Sequence, residues 1–516
     1  MMSTRHFLQI LSIIRAVVVA GILLALVAPE LTMLMAAPTA TIRNVKDYGV
    51  KGEGAETETA AIQGAIDACA VEGGCILHFP AGRYVTGTLY FRDYVTLNLA
   101  PGAVIATSGR ADDYTAPALF YGKGVNAVAL TGFGEIQAGP VPAPDETTIH
   151  NPGSRLVSLV LLENSTNVRI NGIRFLRSPV WTIALRVVDG AWLDDLLIDN
   201  ARMAVNTSGV VLDSSTRVSI RSLHYRGGGD GITLQTSLVE GIAPPCEQIT
   251  ISDSTIESSS MAIKIGTATH GPIRNVVVQN VVIDSSQGGI GIFVRDGGSV
   301  ESITFSNLVI QTNPVHREQP EWPIVLDLKR RDENTATGQI RGISIVDTRL
   351  QTGGKVLVSG IPGHPVRDLR IDGLTVSNRG ASEGITATQR PWKSPVDAVS
   401  GEDEVGTAFL LGYVAESTLD NVRLTWEVPN PAPESHALFM HSVDGISLNR
   451  WYARQGKVGG TMPALQLLSC RNIEVRNSTA PPQTGVWIQA KGLDRQDLFL
   501  SGNNAESAYR DLVFVK

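Results

Sequence analysis

Three ionisable residues near the middle of the chain, Asp230, Asp213 and Lys264, have the side chains needed for acid–base chemistry on a polar polymer. A carboxylic acid can protonate the oxygen of a leaving group, and a carboxylate can activate a water molecule. An ammonium group can neutralise negative charge on a substrate. Because these residues are far apart in the sequence, they can act together only if the fold brings them onto one surface.

A short phrase of the form polar, apolar, any residue, apolar recurs along the chain and indicates repeated structural units. Its first apolar position falls at residues 168, 193, 218, 249, 276, 303, 343, 369, 422, 446 and 473. Most gaps between these positions are 24 to 27 residues long. We interpret the gaps of 31 and 40 as one repeat with an insertion, and the gap of 53 as about two repeats. Each repeat contains short runs of alternating apolar residues broken by Asn, Ser, Asp or Gly, which predicts short strands and turns.

Repeats of this length predict an all-β solenoid, in which each coil buries one apolar row against its neighbours. A β-propeller is the competing architecture, but its blades need about 40 residues and four antiparallel strands. We therefore predict a parallel β-helix.

The segment before the repeats has helical spacing of its apolar residues instead. These residues are Ile62, Ala65, Ile66 and Cys69. The spacing predicts a short helix over residues 60–70, with Thr57 or Thr59 as its N-cap. We expect this helix to cap the first coil, because the open end of stacked strands otherwise promotes aggregation.

The alternation also predicts which side chains leave the core together. The equivalent inward residues are Val210, Ile232, Ile263 and Ile290; the next outward positions are Val211, Thr233, Lys264 and Gly291; two residues further are Asp213, Gln235, Gly266 and Phe293. Equivalent positions on adjacent coils should lie about 4.8 Å apart. Ser208, Asp230 and Met261 then take matching places on successive coils. Lys264 falls beside Asp230, where its opposite charge favours an ionised carboxylate.

Two groups of motifs follow one another along the chain. The N-terminal group is VKDYGVKGEG (45–54), AAIQ (60–63), FPAGRY (79–84) and TG (86–87), and it closely resembles the N-terminal half-signature of pectin-active right-handed β-helix proteins. The second group is SPVW (178–181), NTSG (206–209), GDGI (229–232), IKIGT (263–267) and RDGG (295–298). Taken in this order, over residues 44–380, they resemble the polygalacturonase-like proteins of glycoside hydrolase family 28. The resemblance implies a right-handed parallel β-helix that cleaves glycosidic bonds of pectin or a related acidic polysaccharide.

The chain departs from the catalytic pattern of that family. Polygalacturonases carry one aspartate in an Asn-Thr-Asp-Gly phrase, two in an Asp-Asp phrase, a histidine in a Gly-His-Gly phrase and an Arg-x-Lys phrase. The matching positions here are, in order, Ser208, Gly229, Asp230, Met261, Gly291 and Phe293. An inverting glycosidase needs two carboxyl groups about 6.5–9.5 Å apart, so Asp230 alone cannot fill both roles. The second could be Asp213 or a carboxylate of the long loops.

Seven residues are therefore our candidates for the site. The catalytic candidates are Asp230, Asp213 and Lys264, and the substrate-binding candidates are Arg295, Trp181, Ser208 and His270. Each also has a structural interpretation: the aspartates could shape turns, the cations could be solvated or pair with Asp296, and the tryptophan could pack.

Two other functions use the same surface. A polysaccharide lyase would need a cation on the uronate carboxylate and a base at C5, roles that Lys264 and Arg295 could take. A glycan-binding solenoid that has lost its acids would bind oligosaccharide without turnover.

Composition excludes several other classes. The formal net charge is −7 and the pI about 5.8, which argues against a nucleic-acid partner. No glycine-rich phosphate loop or zinc-ligand spacing is present, so we expect no nucleotide, no metal and no other cofactor. We expect a monomer whose partner is a polysaccharide.

The N-terminus predicts export. Arg5 precedes an apolar stretch from Ala16 to Ala28, shorter than the roughly 20 residues of a membrane span, and Ala36 and Ala37 resemble a cleavage site. We predict a signal peptide over residues 1–37, with an uncleaved anchor as the alternative, and a periplasmic or extracellular protein.

The mature chain is predicted to contain two parts. Residues 38–110 form the cap and first coils, and residues 111–516 form the β-helix, with loop insertions near 312–322 and 380–406. Cys69 and Cys75 could close a small disulfide loop, or all four cysteines could be buried thiols.

Overall fold

The computed structural model describes residues 41–138, 158–313, 320–380, 407–427, 435–458 and 462–515. In these residues the strands form two parallel sheets, sheet A with 22 strands and sheet B with 15. The predicted signal peptide, and most of the insertion predicted near 380–406, lie outside the described residues. Within these ranges, no helix combines the length and apolar content needed to cross a membrane.

Sheet A contains the longer strands, and many of them are bent. Its strands are β1 (Ile42–Asn44), β2 (Glu53–Thr57), β3 (Cys75–Phe79), β4 (Gly82–Thr86), β6 (Val95–Leu99), β7 (Ala103–Thr107), β9 (Ala129–Gly132), β10 (Glu135–Gln137), β12 (Thr166–Asn171), β13 (Arg174–Leu176), β15 (Asp189–Asp199), β17 (Thr216–Gly227), β19 (Cys246–Ser258), β21 (Ile273–Ser286), β23 (Ser299–Thr312), β25 (Gln339–Thr352), β27 (Val366–Asn378), β29 (Val414–Asp420), β30 (Arg423–Trp426), β32 (Asp444–Asn449), β34 (Arg471–Arg476) and β36 (Leu498–Ser501).

Sheet B contains one short strand from each coil. Its strands are β5 (Leu89–Tyr90), β8 (Ala118–Lys123), β11 (Ser158–Glu163), β14 (Ile183–Arg186), β16 (Val210–Asp213), β18 (Ile232–Thr236), β20 (Met261–Thr269), β22 (Gly288–Val294), β24 (Trp322–Leu328), β26 (Val356–Ser359), β28 (Phe409–Gly412), β31 (Leu438–His441), β33 (Pro463–Leu468), β35 (Thr484–Lys491) and β37 (Ala508–Val515).

The chain passes from one sheet to the other and back in every coil. Each strand pairs in parallel with the strand of the same sheet in the next coil, as β16 does with β18 and β18 with β20. A propeller would show antiparallel blades, so these ladders confirm the predicted parallel β-helix.

The core runs along the axis between the two sheets. One continuous inward row of sheet B consists of Ile183, Val210, Ile232, Ile263, Ile290, Ile324, Val356, Phe409, Leu438, Leu465 and Ile488. All of these side chains are buried. The period-two alternation of each strand requires this arrangement, because adjacent side chains point to opposite faces of the sheet.

The α-helix α1 (Thr59–Val71) covers the first coil, as predicted, and buries the four apolar residues that predicted it. The N-cap prediction was wrong: the N-cap is Glu58 rather than Thr57 or Thr59. The Glu58 carboxylate accepts hydrogen bonds from the backbone N–H groups of Lys51 and Gly52, while the Thr59 hydroxyl accepts one from the N–H of Gly87. Both side chains therefore tie the helix to neighbouring segments instead of closing its first turn.

Three short 3₁₀-helices complete the regular structure of the described residues: η1 (Val45–Tyr48), η2 (Ala111–Asp113) and η3 (Arg495–Asp497). The cysteines follow both interpretations. Cys69 of α1 and Cys75 of β3 form a disulfide, whereas Cys246 and Cys470 are buried free thiols.

Two details of the repeat assignment were wrong. Val168 pairs with Ala191, and Leu193 pairs with Ile170, so the second repeat position is shifted by two residues. The gap of 53 residues is not two repeats, because β27 pairs directly with β29 and β30. It is a single coil carrying the long insertion, which explains why the pattern disappears over residues 381–406.

Candidate active site

Three rows of outward residues cross the strands of sheet B. The first row contains Trp181, Ser208, Asp230, Met261, Gly288 and Trp322. The second contains Tyr90, Tyr121, Leu161, Ala184, Val211, Thr233, Lys264, Gly291 and Val325. The third contains Lys123, Glu163, Arg186, Asp213 and Gln235, and resumes beyond a bulge with Gly266, Phe293 and Asp327.

The predicted register is confirmed with one exception. The inward row and the Val211, Thr233, Lys264 and Gly291 row align as expected. A register shift between Leu234 and Thr236 breaks the predicted alignment of Gln235 with Gly266, and Thr236 pairs with Thr269 instead. Alternation indicates which face a side chain takes but not where one strand contains extra residues, so it could not reveal this shift.

Asp230 lies at the centre of this surface and accepts four hydrogen bonds. Its Oδ1 accepts from the Ser260 hydroxyl at 2.7 Å and from the Met261 N–H at 3.2 Å. Its Oδ2 accepts from Lys264 Nζ at 2.9 Å and from the Thr233 hydroxyl at 3.3 Å. Asp230 is only 7% exposed. An ionised carboxylate offers about four lone pairs, so these donors occupy all of them.

The Asp230–Lys264 pair therefore suits the ionised carboxylate, which is the form that accepts a proton and not the form that donates one. The Lys264 side chain is 25% exposed and has two further N–H donors. It is thus the part of the pair that solvent or a ligand can reach. A ligand carboxylate is its natural partner.

Asp213 belongs to a different part of the surface. Its carboxylate accepts from the Ser237 N–H at 2.8 Å and from Gln235 Nε2 at 3.2 Å, and Arg186 Nε lies 3.9 Å away. Asp213 stands one coil away from Asp230 and five residues further along the strand. At about 3.3 Å per residue and about 4.8 Å per coil, that places the two roughly 17 Å apart, beyond the separation of an inverting pair.

Arg295 is directed into a buried ion pair. Its Nη2 donates to Asp327 Oδ2 and its Nη1 to the Asp327 carbonyl at 2.8 Å. The alternative prediction that Arg295 pairs with Asp296 was wrong. Asp327 follows the insertion at 314–319, so its coil position could not be read from the spacing of the repeats.

His270 lies in a separate polar cluster at the turn that follows sheet B. Its Nε2 is 4.0 Å from Asp296 Oδ2, and Asp296 also accepts from Arg331 and from the Thr269 N–H. Burial alone would raise the pKa of the Asp296 carboxyl, but the hydrogen bonds from Arg331 and Thr269 outweigh it and hold the pKa below its ordinary value. The described contacts do not connect His270 with Asp230.

The two remaining candidates lie in the same row as Asp230. Trp181 is 39% exposed, whereas Ser208 is 4% exposed and lies on the coil next to Asp230. Ser208 packs closely against Gly229, where a Cβ atom would lie 2.5 Å from the Ser208 nitrogen and 2.8 Å from its Oγ. The first member of an Asp-Asp pair therefore does not fit at residue 229 in this backbone.

Apolar side chains surround the positions at which the family resemblance predicts a histidine, an arginine and a lysine. A Cβ atom at Gly291 would lie 2.5 Å from the Phe293 ring and 2.8 Å from the Met261 methyl. These residues belong to an apolar patch on the outward face of sheet B. The apolar patch is the buried cluster of Met261, Phe293, Trp322, Val325, Leu357, Leu410 and Phe439.

Sequence reasoning missed Ser260, Thr233 and Asp327 as partners of the candidate residues. Thr233 was predicted to face outward, so its position beside Asp230 was the available signal. Ser260 lies in a turn, where alternation gives no direction. Among the described residues, no group of three His, Cys, Asp or Glu side chains is placed to hold a metal ion.

A family model of glycosyl hydrolases family 28 matches residues 79–388, which include every strand of the candidate site. The match covers more than half of the chain. The chain belongs to glycosyl hydrolases family 28.

Curated relatives match shorter parts of this chain. An exo-poly-alpha-D-galacturonosidase of Dickeya chrysanthemi is 46% identical over 71 residues, 14% of this chain and 12% of the relative. A probable polygalacturonase of Vitis vinifera is 27% identical over 256 residues, 45% of this chain and 52% of the relative. The matched part thus spans about half, or less, of these proteins.

Solved structures agree on the fold. The family 28 exopolygalacturonase of Yersinia enterocolitica has a TM-score of 0.62 at 18% identity, over 80% of this chain and 79% of that one. An exopolygalacturonase from Thermotoga maritima has a TM-score of 0.54 at 18% identity, over 67% of this chain and 88% of that one. At this identity the likeness establishes the right-handed β-helix shared by family 28.

Proposed function

We propose that this family 28 protein is a glycoside hydrolase that cleaves glycosidic bonds of pectin or a related acidic polysaccharide on the outward face of sheet B. The observation that carries the proposal is the Asp230–Lys264 pair. It occupies the one family aspartate position that the chain retains, inside the matched region.

In this proposal Lys264 recognises a uronate carboxylate and Asp230 acts as the general base. All lone pairs of Asp230 are occupied in the free protein, so one donor must leave before it can accept a proton from water. Lys264 is the exposed donor. When its ammonium turns to a substrate carboxylate, one lone pair of Asp230 Oδ2 becomes free while the Thr233 hydroxyl stays bound, so substrate binding itself prepares the base.

The proton-donating carboxyl group is a separate requirement. Inverting hydrolysis needs it about 6.5–9.5 Å from Asp230. Asp213 lies too far along the strand, and the described residues of this face offer no other carboxylate at that separation. Asp230 is thus proposed for one of the two roles only.

A second candidate function is glycan binding without cleavage. Two observations favour it: the saturated hydrogen bonding of Asp230, and the Met261 and Phe293 side chains at the positions of the family's polar residues. The same Lys264 would hold an acidic oligosaccharide in either case.

We also propose that the protein works outside the cytoplasm. The Cys69–Cys75 disulfide supports this location, because structural disulfides persist in oxidising compartments. The signal-like N-terminus is the second support. Fractionation of the native host, with the protein found in the cytosol, would overturn this proposal.

The deciding experiment incubates the purified protein with polygalacturonate and follows both reducing ends and the absorbance of unsaturated uronates. We expect reducing ends alone to rise, and Asp230→Asn to lower kcat about 100-fold or more, the usual contribution of a general base. Lys264→Met should raise KM about tenfold. Asp194→Asn, which removes a carboxylate paired with Arg221 on sheet A, is the matched control and should change neither.

The other outcomes separate the alternatives. Unsaturated products would show a lyase and overturn hydrolysis. Saturable binding that Lys264→Met weakens, without any turnover, would establish the binding protein. If neither turnover nor binding is observed, both functions are refuted.

A further inference from the structure

A cleft remote from Asp230 lies where α1 meets the first coils. It has a volume of about 560 Å³, within the range of about 300–1,000 Å³ typical of ligand sites. Its walls include Tyr90, Tyr94, Tyr121, Arg92 and Lys123. We call it the cap cleft.

Three tyrosine rings give the cap cleft its shape. Tyr90 and Tyr121 lie edge to face, with ring centroids 5.9 Å apart at 86°. Tyr94 stands on the adjacent turn and is 56% exposed. Aromatic rings of this kind offer an apolar face beside a polar edge, which matches a pyranose ring with its C–H face and surrounding hydroxyls.

The rings are held in place before any ligand arrives. The Tyr121 hydroxyl donates to Glu163 at 2.7 Å, the Tyr90 hydroxyl bonds to Thr115 at 2.9 Å, and the Tyr94 hydroxyl accepts from Asn126 at 3.3 Å. Residues fixed in this way lose little conformational entropy on binding.

The strand that carries Tyr90 is fixed as well. The Gln63 side chain of α1 accepts from the Tyr90 N–H at 2.7 Å and donates to the Tyr90 carbonyl at 3.2 Å. The helix that caps the solenoid thus also builds one wall of the cleft.

The cap cleft contains a lysine that can receive an acidic ligand. Lys123 is exposed and has no acidic partner among the described residues. Arg92 pairs with Asp67 at 2.8 Å, and its guanidinium lies 5.8 Å from the Tyr90 ring centre. The Asp93 carboxylate is used by the Asn126 N–H at 2.8 Å. This hydrogen bond fixes the Asp93 carboxylate without cancelling its charge, and Lys123 remains the lining cation that can pair with a ligand carboxylate.

The cap cleft and the candidate active site share one outward row. Tyr90 and Tyr121 begin the second row, and Lys264 follows after five further coil steps from Tyr121. At about 4.8 Å per coil the distance from Tyr90 to Lys264 is about 29 Å. A short oligosaccharide cannot contact both places, whereas a polysaccharide chain can.

We propose that the cap cleft is a second glycan-binding site, which takes an acidic oligosaccharide with a sugar ring against the tyrosines and a carboxylate on Lys123. The class of ligand rests on the proposed function, but the site requires no cleavage. A chain bound at both places gains affinity because the second contact is intramolecular.

The test measures binding of trigalacturonate and of a long polygalacturonate to the full chain by calorimetry, in an Asp230→Asn background that prevents turnover. We expect two trigalacturonate sites. Tyr94→Ala and Lys123→Gln should each weaken one of them about tenfold, and Lys264→Met the other. Tyr509→Ala and Lys46→Gln, exposed residues of the same types elsewhere, are the matched controls.

The outcomes distinguish this inference from the proposed function. A single site that Tyr94→Ala weakens and Lys264→Met leaves unchanged would contradict the active site and leave the cap cleft standing. A single site that only Lys264→Met weakens would overturn the cap cleft. Equal binding of a neutral galactan oligosaccharide at the Tyr94-sensitive site would refute the role of Lys123.

Discussion

The outward face of sheet B carries two regions of opposite character on one repeating backbone. Towards the N-terminus, the third row forms a polar ladder of Lys123, Glu163, Arg186, Asp213 and Gln235. Further along, the same face carries the apolar patch, with Val325, Leu357 and other buried groups.

The ladder and the patch use the same coil spacing and the same alternation. Arg186 lies 3.7 Å from Glu163 and 3.9 Å from Asp213, so the ladder alternates in charge along the axis. The stacked register sets the position of each side chain on this face. The residue type at that position then determines whether it can bind a polar chain. Family 28 membership therefore fixes the geometry of this face but not its chemistry.

The largest expected effect comes from placing a carboxylate in each region. Val325→Asp puts an unpaired carboxylate at a fully buried position of the apolar patch, which should lower the free energy of unfolding by about 4 kcal/mol or more. Leu161→Asp, in the same row beside the polar ladder, is half-buried and should cost about 1 kcal/mol. Chemical denaturation of both variants measures the difference.

Should Val325→Asp fail to accumulate, Val325→Thr and Leu161→Thr provide the same comparison with a neutral group. Equal losses at the two positions would show that the two regions are equally polar, contrary to the structure.

A smaller effect is expected at Gly229. Gly229→Ala would bring a Cβ atom to 2.5 Å from the Ser208 nitrogen, and we expect it to lower the free energy of unfolding by about 1–3 kcal/mol. Gly64→Ala is the matched control, since a Cβ there meets no atom within 4 Å and Gly64 lies inside α1. It should stabilise by about 0.5–1 kcal/mol. A stable Gly229→Asp variant with raised activity would contradict our account of the missing aspartate.

The smallest effect concerns the phenol of Tyr121, the second residue of the second row. Burial, together with the hydrogen bond to Glu163, raises the pKa of Tyr121 to about 12. The folded state thus favours the neutral phenol. The resulting stabilisation is complete below the unfolded pKa near 10 and is lost as the pH rises through about 12.

Tyr121→Phe should remove this alkaline loss of stability, measured as the pH dependence of Tm. Burial also raises the pKa of Tyr84 to about 12, so the spectrum of phenolate formation must be taken as wild type minus variant. A difference spectrum that shows no phenolate formation near pH 12 would disprove the raised pKa of Tyr121.

Much of the fold was accessible from the sequence because burial imposes a period on it. The inward isoleucines of β18, β20 and β22 were aligned correctly from alternation, and this placed Lys264 beside Asp230. The coil carrying the long insertion was misread as two repeats because residues 381–406 lack any repeat pattern, although the strands before and after them, β27 and β29, pair directly.

The contacts of the site were less accessible, since they come from turns and bulges. The bulge before Thr236 and the direction of Ser260 depend on backbone geometry that a period of two does not encode. The pairing of Arg295 with Asp327 depends on how many residues separate two coils, which differs at each insertion. The assignment of roles to the seven candidate residues therefore stays a prediction.

The long insertion separates β27 from β28 in the sequence, and both strands pair directly with strands of the neighbouring coils. Val356 pairs directly with Phe409, although more than fifty residues separate them, and β28 continues into β31 with the same register. A segment anchored in this way can be exchanged, lengthened or deleted without shifting any coil on either side. Evolution can thus change what this surface recognises by replacing turns as modules, while the solenoid itself is inherited unaltered.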